Sequence, residues 1–162
     1  MTIYETSALT HGSMLSLEEF SHQSRQSIPL LKSMGLEFTE FDDGCLRVEM
    51  PLAPNINDKQ TGFGGSIAAL ATTSGWAVIS LLLLSRSANY DVVVTESHMR
   101  YLAPATGDFY ALTSVTSSAL SAFNRVLDSQ CHGRITVQVM VEQEGEQIAV
   151  YTGTYKVTIK SC

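Results

Sequence analysis

The sequence predicts an α+β fold in which one mostly antiparallel sheet curls around a single long helix. Three observations predict it. From Gly62 to Ser85 the chain carries no charge, and the apolar run through Leu84 reads as a buried helix. Segments on both sides alternate apolar and polar residues with a period of two, as half-buried strands do. Asp43-Gly44 and Glu144-Gly145 mark tight turns between pairs of such segments. A sheet of this kind leaves faces and edges uncovered, so homo-oligomerisation is expected.

The elements follow in order. Met1 to Ser13 is polar and reads as a poorly ordered tail, leaving residues 14–162 as a single domain. Ser16-Leu17-Glu18-Glu19 matches a capping box, which starts a helix at Leu17 that runs to about Ser27. Pro29 suits the first turn of a short helix, Pro29 to Met34, that Gly35 terminates. Leu36 to Phe41 and Cys45 to Met50 flank Asp42-Asp43-Gly44 as a β-hairpin, with Leu46, Val48 and Met50 on the buried face. The central helix is expected to start near Ser66. After it, Asp91 to Tyr101 reads as a long strand. One face carries Val93, Thr95, Ser97, Met99 and Tyr101; the other carries Val92, Val94, Glu96, His98 and Arg100. Pro104 ends it, and Gly107-Asp108 leads into Phe109 to Thr116. Ser117 to His132 shows no clean period. The last pair of strands begins at Gly133 and spans Gln147 to Ile159 after the turn.

Composition narrows the function. With 162 residues the chain can bury a real core, and 44% hydrophobic against 16% charged residues argue against disorder. A formal net charge of -6 offers no basic patch, so no nucleic-acid partner is expected. The uncharged run raises the question of a membrane span, but Ser66, Thr72, Thr73, Ser74, Gly75 and Ser80 interrupt it. A helix wrapped by a soluble fold explains it better. Cys45, Cys131 and Cys162 are odd in number and widely spaced, which fits a reducing cytoplasm better than a disulfide framework. The first residues lack a signal-peptide pattern, and a cytoplasmic location is expected. No metal-ligand spacing occurs, so neither metal nor other cofactor is expected.

The glycine turn before the helix carries chemistry. Gly62, Gly64 and Gly65 let another molecule approach the backbone closely. The first N–H groups of a helix lack intrahelical acceptors and sit at the positive end of the macrodipole. Such a turn can hold a phosphate or a polarised carbonyl oxygen, or can simply start a tightly packed helix. No lysine follows the glycines, so this is not a nucleotide phosphate loop, and Met50 to Asp58 lacks the strand that a dinucleotide fingerprint needs.

Two blocks carry a resemblance. Asn57 to Gly65 reads N-x-x-x-T-x-[aromatic]-G-G, and Tyr101 to Asp108 reads Y-L-A-P-x-x-G-D. With the apolar helix between them they resemble the hotdog-fold acyl-thioesterase superfamily. The F-G-G-S form, Phe63 to Ser66, is most similar to the thioesterase domain of the YiiD C-terminal type. The likeness covers roughly Ile28 to Lys160. It implies a curled antiparallel sheet around one helix, a homodimer or homotetramer, and an acyl-CoA or acyl-carrier-protein thioester lying between subunits. By the same resemblance the N–H of Gly64 or Gly65 polarises the thioester oxygen, and Asn57 orients water or the carbonyl. Thr95 and Ser97 of the partner chain help to hold the water. Phe63, Ser66, Thr73 and Asp58 fall at substrate-binding positions.

Two departures bear on catalysis. Phe63 stands where relatives often carry histidine, and Thr72, with Thr73 beside it, stands where many carry an acid. A base that activates water is worth about 10²–10⁴-fold, and threonine cannot act as one at neutral pH. Replacement bases are Asp58, the pair Glu96 and His98, and His132 beside Cys131; each has a plainer reading, as a turn cap, a solvated strand face and an unplaced residue. Two activities remain: thioester hydrolysis with water held near Thr72, or acyl-thioester binding without chemistry. A dehydratase on the same fold is disfavoured, because Phe63 removes the histidine that its mechanism uses.

Overall fold

The computed structural model describes residues 16–86 and 88–160. The expected tail, residues 1–13, lies outside them. The element order is α1 (Leu17–Ser27), α2 (Pro29–Ser33), β1 (Glu37–Asp42), β2 (Cys45–Met50), a 3-10 turn (Ala53–Asn55), α3 (Gly64–Leu83), β3 (Tyr90–Tyr101), β4 (Phe109–Ser114), α4 (Ser117–Gln130), β5 (His132–Gln143) and β6 (Glu146–Ile159). The strands form one antiparallel sheet in the order β1-β2-β4-β5-β6-β3. This curled sheet around a long helix is the hotdog fold.

Local chemistry accounts for most of the elements. At α1 the Ser16 hydroxyl accepts from the Glu19 N–H, and the Glu19 carboxylate accepts from the Ser16 N–H at 2.8 Å. Both tight turns place two successive residues at positive φ, Asp43 with Gly44 and Glu144 with Gly145, as hairpin turns that match strand twist require. The alternation in β2 is as expected, with Leu46, Val48 and Met50 all buried.

α3 is long and apolar enough by length and composition to cross a membrane, and in the fold it lies in the curve of the sheet. Leu70, Ala71, Ala77 and Val78 are fully buried. Its serines cost little inside that core, because Ser74 and Ser80 donate to the carbonyls of Leu70 and Trp76, both at 2.8 Å. On the half-open side of α3, Trp76 stacks on Phe20 of α1 with centroids 5.6 Å apart.

Glycine decides how closely the sheet approaches α3. A Cβ on Gly75 would stand 2.4 Å from the Tyr155 hydroxyl, and one on Gly153 2.4 Å from the Tyr151 hydroxyl. Tyr155 donates to the carbonyl of Thr72 at 2.7 Å and lies 3.1 Å from the hydroxyl of Tyr151, which therefore donates to it. Burial, then the hydrogen bond and charge interaction with Tyr151, push the Tyr155 phenol well above its ordinary pKa, so it remains a neutral donor.

Four expectations are corrected. The unplaced segment is the helix α4, capped by the Thr116 hydroxyl on the Ala119 N–H. Its apolar side is Leu120, Phe123 and Leu127, at the i, i+3, i+7 spacing of a helix, so this signal and the Thr116 cap were present in the sequence and were passed over among small polar residues. α3 starts at Gly64 rather than near Ser66. The faces of β3 exchange at a bulge between Val94 and Glu96. Val92, Val94, Ser97, Met99 and Tyr101 pair with the inward residues Val157, Tyr155, Gly153, Tyr151 and Ala149, while Val93, Glu96, His98 and Arg100 face outward. Finally, Cys131, the left-handed C-cap of α4, is disulfide-bonded, and Cys45 is free and exposed. Wide spacing carries no signal of such a bond; only folding decides which sulfurs meet.

Candidate active site

The loop before α3 is built on Asn57. Its side-chain oxygen accepts from the N–H groups of Lys59 and Thr61 at 2.8 and 3.1 Å. Its side-chain nitrogen donates to the Thr61 hydroxyl at 2.9 Å and the Gly62 carbonyl at 3.3 Å. Asn57 thus has its hydrogen-bonding capacity turned into its own loop. Asn55, buried one turn earlier, donates to the carbonyls of Met34 and Pro51, both at 2.8 Å, and its own carbonyl accepts the Phe63 N–H at 2.7 Å.

That loop delivers an uncapped helix. Phe63 is the N-cap and makes no side-chain cap hydrogen bond. Among the described residues nothing accepts from the N–H groups of Gly64, Gly65 or Ser66. Gly65 is exposed, and Gly64 and Ser66 are half-buried, so three donors and the positive end of a 20-residue helix face outward. The Phe63 ring lies over Gly65, where a Cβ would meet it at 2.4 Å.

The second block presses against the first. The Ala105 carbonyl accepts the Gly62 N–H at 2.8 Å, and a Cβ on Gly62 would come within 2.8 Å of that of Ala105. Asp108 accepts the Leu52 N–H at 2.8 Å, and Gln143 accepts the N–H groups of Thr106 and Gly107. Tyr101, the last residue of β3, packs its ring on Gly64 and donates to the Gly64 carbonyl at 2.9 Å.

The remaining candidates separate. Thr72 and Thr73 are half-buried on α3, two turns beyond the glycines. Thr95 is the bulge residue, its hydroxyl on the Thr154 carbonyl at 3.1 Å, and Ser97 faces inward on the exposed edge strand. The Asp58 side chain is 84% exposed, with the Lys59 amine 4.0 Å away. The bulge carries Glu96 and His98 to the outer face, away from α3, and His132 is exposed at the start of β5. The sequence reading missed Tyr101 and the Tyr155 contact with Thr72. The first stood in a quoted motif, and period-two counting placed it on the same strand face as Thr95; the second joins residues far apart in sequence and left no signal.

Comparison with known proteins gives the family and the fold. A structure of a protein of unknown function from Chlorobaculum tepidum TLS is 28% identical, with 91% of this chain and 99% of that chain covered and a TM-score of 0.81. A putative thioesterase from Shewanella oneidensis is also 28% identical, with 88% and 96% covered and a TM-score of 0.75. A thioesterase from Haemophilus influenzae shares the fold at 18% identity, with 91% and 93% covered and a TM-score of 0.72. Residues 17–159 match the family described as putative thioesterase (yiiD_Cterm), and the chain belongs to that thioesterase family.

Proposed function

We propose that the chain is an acyl thioesterase that hydrolyses acyl-CoA or acyl-carrier-protein thioesters, with the N–H groups of Gly64 and Gly65 as its oxyanion hole. The observation that carries this reading is the uncapped start of α3, whose donors have no acceptor among the described residues. A thioester carbonyl gains negative charge as water adds to it, and fixed N–H donors favour that charge without reorganising. Asn57 acts by holding the loop rather than by touching substrate, because its own polar atoms are engaged. The family resemblance is what supports Phe63, Ser66, Thr73 and Asp58 as substrate-binding residues and Thr72 as the residue beside the water.

The reading includes a homodimer or homotetramer. β3 is a 12-residue edge strand with one neighbour, and Val93 and Val94 are 52% and 43% exposed on it. An edge strand of this length presents a row of unpaired N–H and C=O groups, an open template for pairing. A partner pairing there would bring its own Thr95 and Ser97 close to the site. A cytoplasmic location belongs to the same reading, because the proposed thioesters are intracellular carriers; the disulfide at Cys131 weighs against it.

Free-thiol release from a panel of short, medium and long acyl-CoAs tests the activity directly. Asn57→Ala should lower turnover about tenfold or more, since a loop misplaced by about 1 Å can cost that much. Full activity in the variant would sink the assignment of the loop.

A second reading has its own observation. Phe63 and Thr72 leave the usual base positions without an acid or base, which suits a module that binds acyl thioesters and does not cleave them. Thr72→Asp separates the two. If the wild type binds and does not turn over, the aspartate should raise hydrolysis by about 10²-fold by supplying the base. No gain, with acyl-CoA still bound, would show that more than a base is missing.

A further inference from the structure

We propose that Gln143 is a positioning residue that fixes the glycine turn from the far side of the second motif block; this rests on the thioesterase reading above. Gln143 is the last residue of β5, beside the Glu144-Gly145 turn, and its side chain reaches back to Thr106 and Gly107, 37 and 36 residues earlier. Its Oε1 accepts the Thr106 and Gly107 N–H groups at 2.7 and 2.9 Å, and its Nε2 donates to the Thr106 hydroxyl at 3.2 Å.

These bonds hold a stretch that has little else to hold it. Pro104 has no N–H, and among the described residues the one backbone hydrogen bond made by residues 104–107 runs from the Gly62 N–H to the Ala105 carbonyl, at 2.8 Å. Ala105 thus sits between a proline and two N–H groups that both end on Gln143. It is fully buried, and a Cβ on Gly62 would come within 2.8 Å of its own, so a shift of Ala105 is a shift of Gly62. Gly62 is itself buried and stands two residues before Gly64, the first residue of α3. Its N–H is fixed by Ala105 and its carbonyl by Asn57, at 3.3 Å, so both motif blocks grip the same residue.

The hairpin does not need the amide. β5 and β6 pair through their backbones, with Gln143 opposite Glu146, and the turn is made by Glu144 and Gly145 at positive φ. Nor do the two N–H groups need it for solvation, because Thr106 is exposed and Gly107 half-buried, and water can replace the lost oxygen. Water cannot hold Ala105 in one place. Loss of the amide should therefore misplace the glycine turn in a chain that stays folded, and a misplacement of about 1 Å can cost about 10²-fold in rate.

Gln143→Ala and Gln143→Glu in the full chain, followed by thiol release on the acyl-CoA panel and by amide hydrogen exchange, test this. Glutamate keeps an oxygen that accepts from both N–H groups. In Gln143→Ala the expected kcat is about tenfold or more below wild type with KM within about twofold, and the Gly62 amide exchanges about tenfold faster; Gln143→Glu brings both back to within about threefold of wild type. Wild-type kcat in Gln143→Ala would overturn the proposal and leave the thioesterase reading standing. A loss of kcat that Gln143→Glu does not restore, or one that leaves Gly62 exchange unchanged, would also overturn it, because the effect would not run through Ala105. No turnover by the wild type on any thioester would overturn both readings together.

Discussion

Gly64→Pro is expected to fold normally and to lose about 100-fold or more in kcat. The substitution deletes one N–H donor and nothing else that the fold uses. Gly64 is the first residue of α3, a position where proline is favoured because its missing N–H would have no intrahelical partner. The preceding residue must avoid the helical region, and Phe63 sits at φ -68 and ψ 124, which a following proline accepts. The new Cβ would meet the Tyr101 ring at 3.5 Å, an ordinary contact. The melting temperature should therefore hold or rise slightly, since proline restricts the unfolded chain. Removing one oxyanion donor costs about 10²–10³ in kcat, and that loss should appear without a matching rise in KM. Thiol-release kinetics beside a thermal melt decide it: a stable variant with wild-type kcat would take the Gly64 amide out of the mechanism.

Gly75→Ala is expected to destabilise the protein by about 3 kcal/mol, the upper part of the range for overpacking a core. The added methyl would stand 2.4 Å from the Tyr155 hydroxyl and under 3 Å from two ring carbons. A surface side chain would swing aside; Tyr155 is fully buried, donates to Thr72 and accepts from Tyr151, so it has nowhere to go. For a domain of this size the melting temperature should fall by roughly 6–12 °C. Tyr155→Leu removes the clashing oxygen and the two ring carbons behind it, at the cost of a buried hydrogen bond and some packing. If the contact is the cause, the double variant should be more stable than the sum of the two single losses predicts. Strict additivity would show that the helix loses stability for another reason.

Legibility in the sequence followed the range of the physics. The Ser16 capping box, the two turns with successive positive φ and the alternation of β2 each depend on residues within a few positions of one another, and each was readable before folding. The bulge at Thr95 was not, because one extra residue exchanges the strand faces while leaving the sequence pattern intact. It removed Glu96 and His98 from the reach of the site and turned Val94 inward. The helix α4 lay within reach of the same local signals, since Thr116 as N-cap and Leu120, Phe123 and Leu127 at helical spacing all belong to the segment itself; only its seating on β5 and β6 needed the fold.

The same division runs through the candidate site. The glycine turn, the uncharged helix after it, and the absence of histidine at position 63 and acid at position 72 are properties of the chain itself, since backbone freedom and side-chain chemistry travel with the residue type. The residues of the two motif blocks were likewise plain in the chain. That the blocks touch, through Ala105 on Gly62, Asp108 on Leu52 and Tyr101 on Gly64, was decided only by the tertiary structure. So was the commitment of Asn57 to its own loop and of Tyr155 to the Thr72 carbonyl. Hydrogen bonds across 37 or 83 residues leave no periodicity behind them; they arise where the curled sheet returns to the helix it wraps.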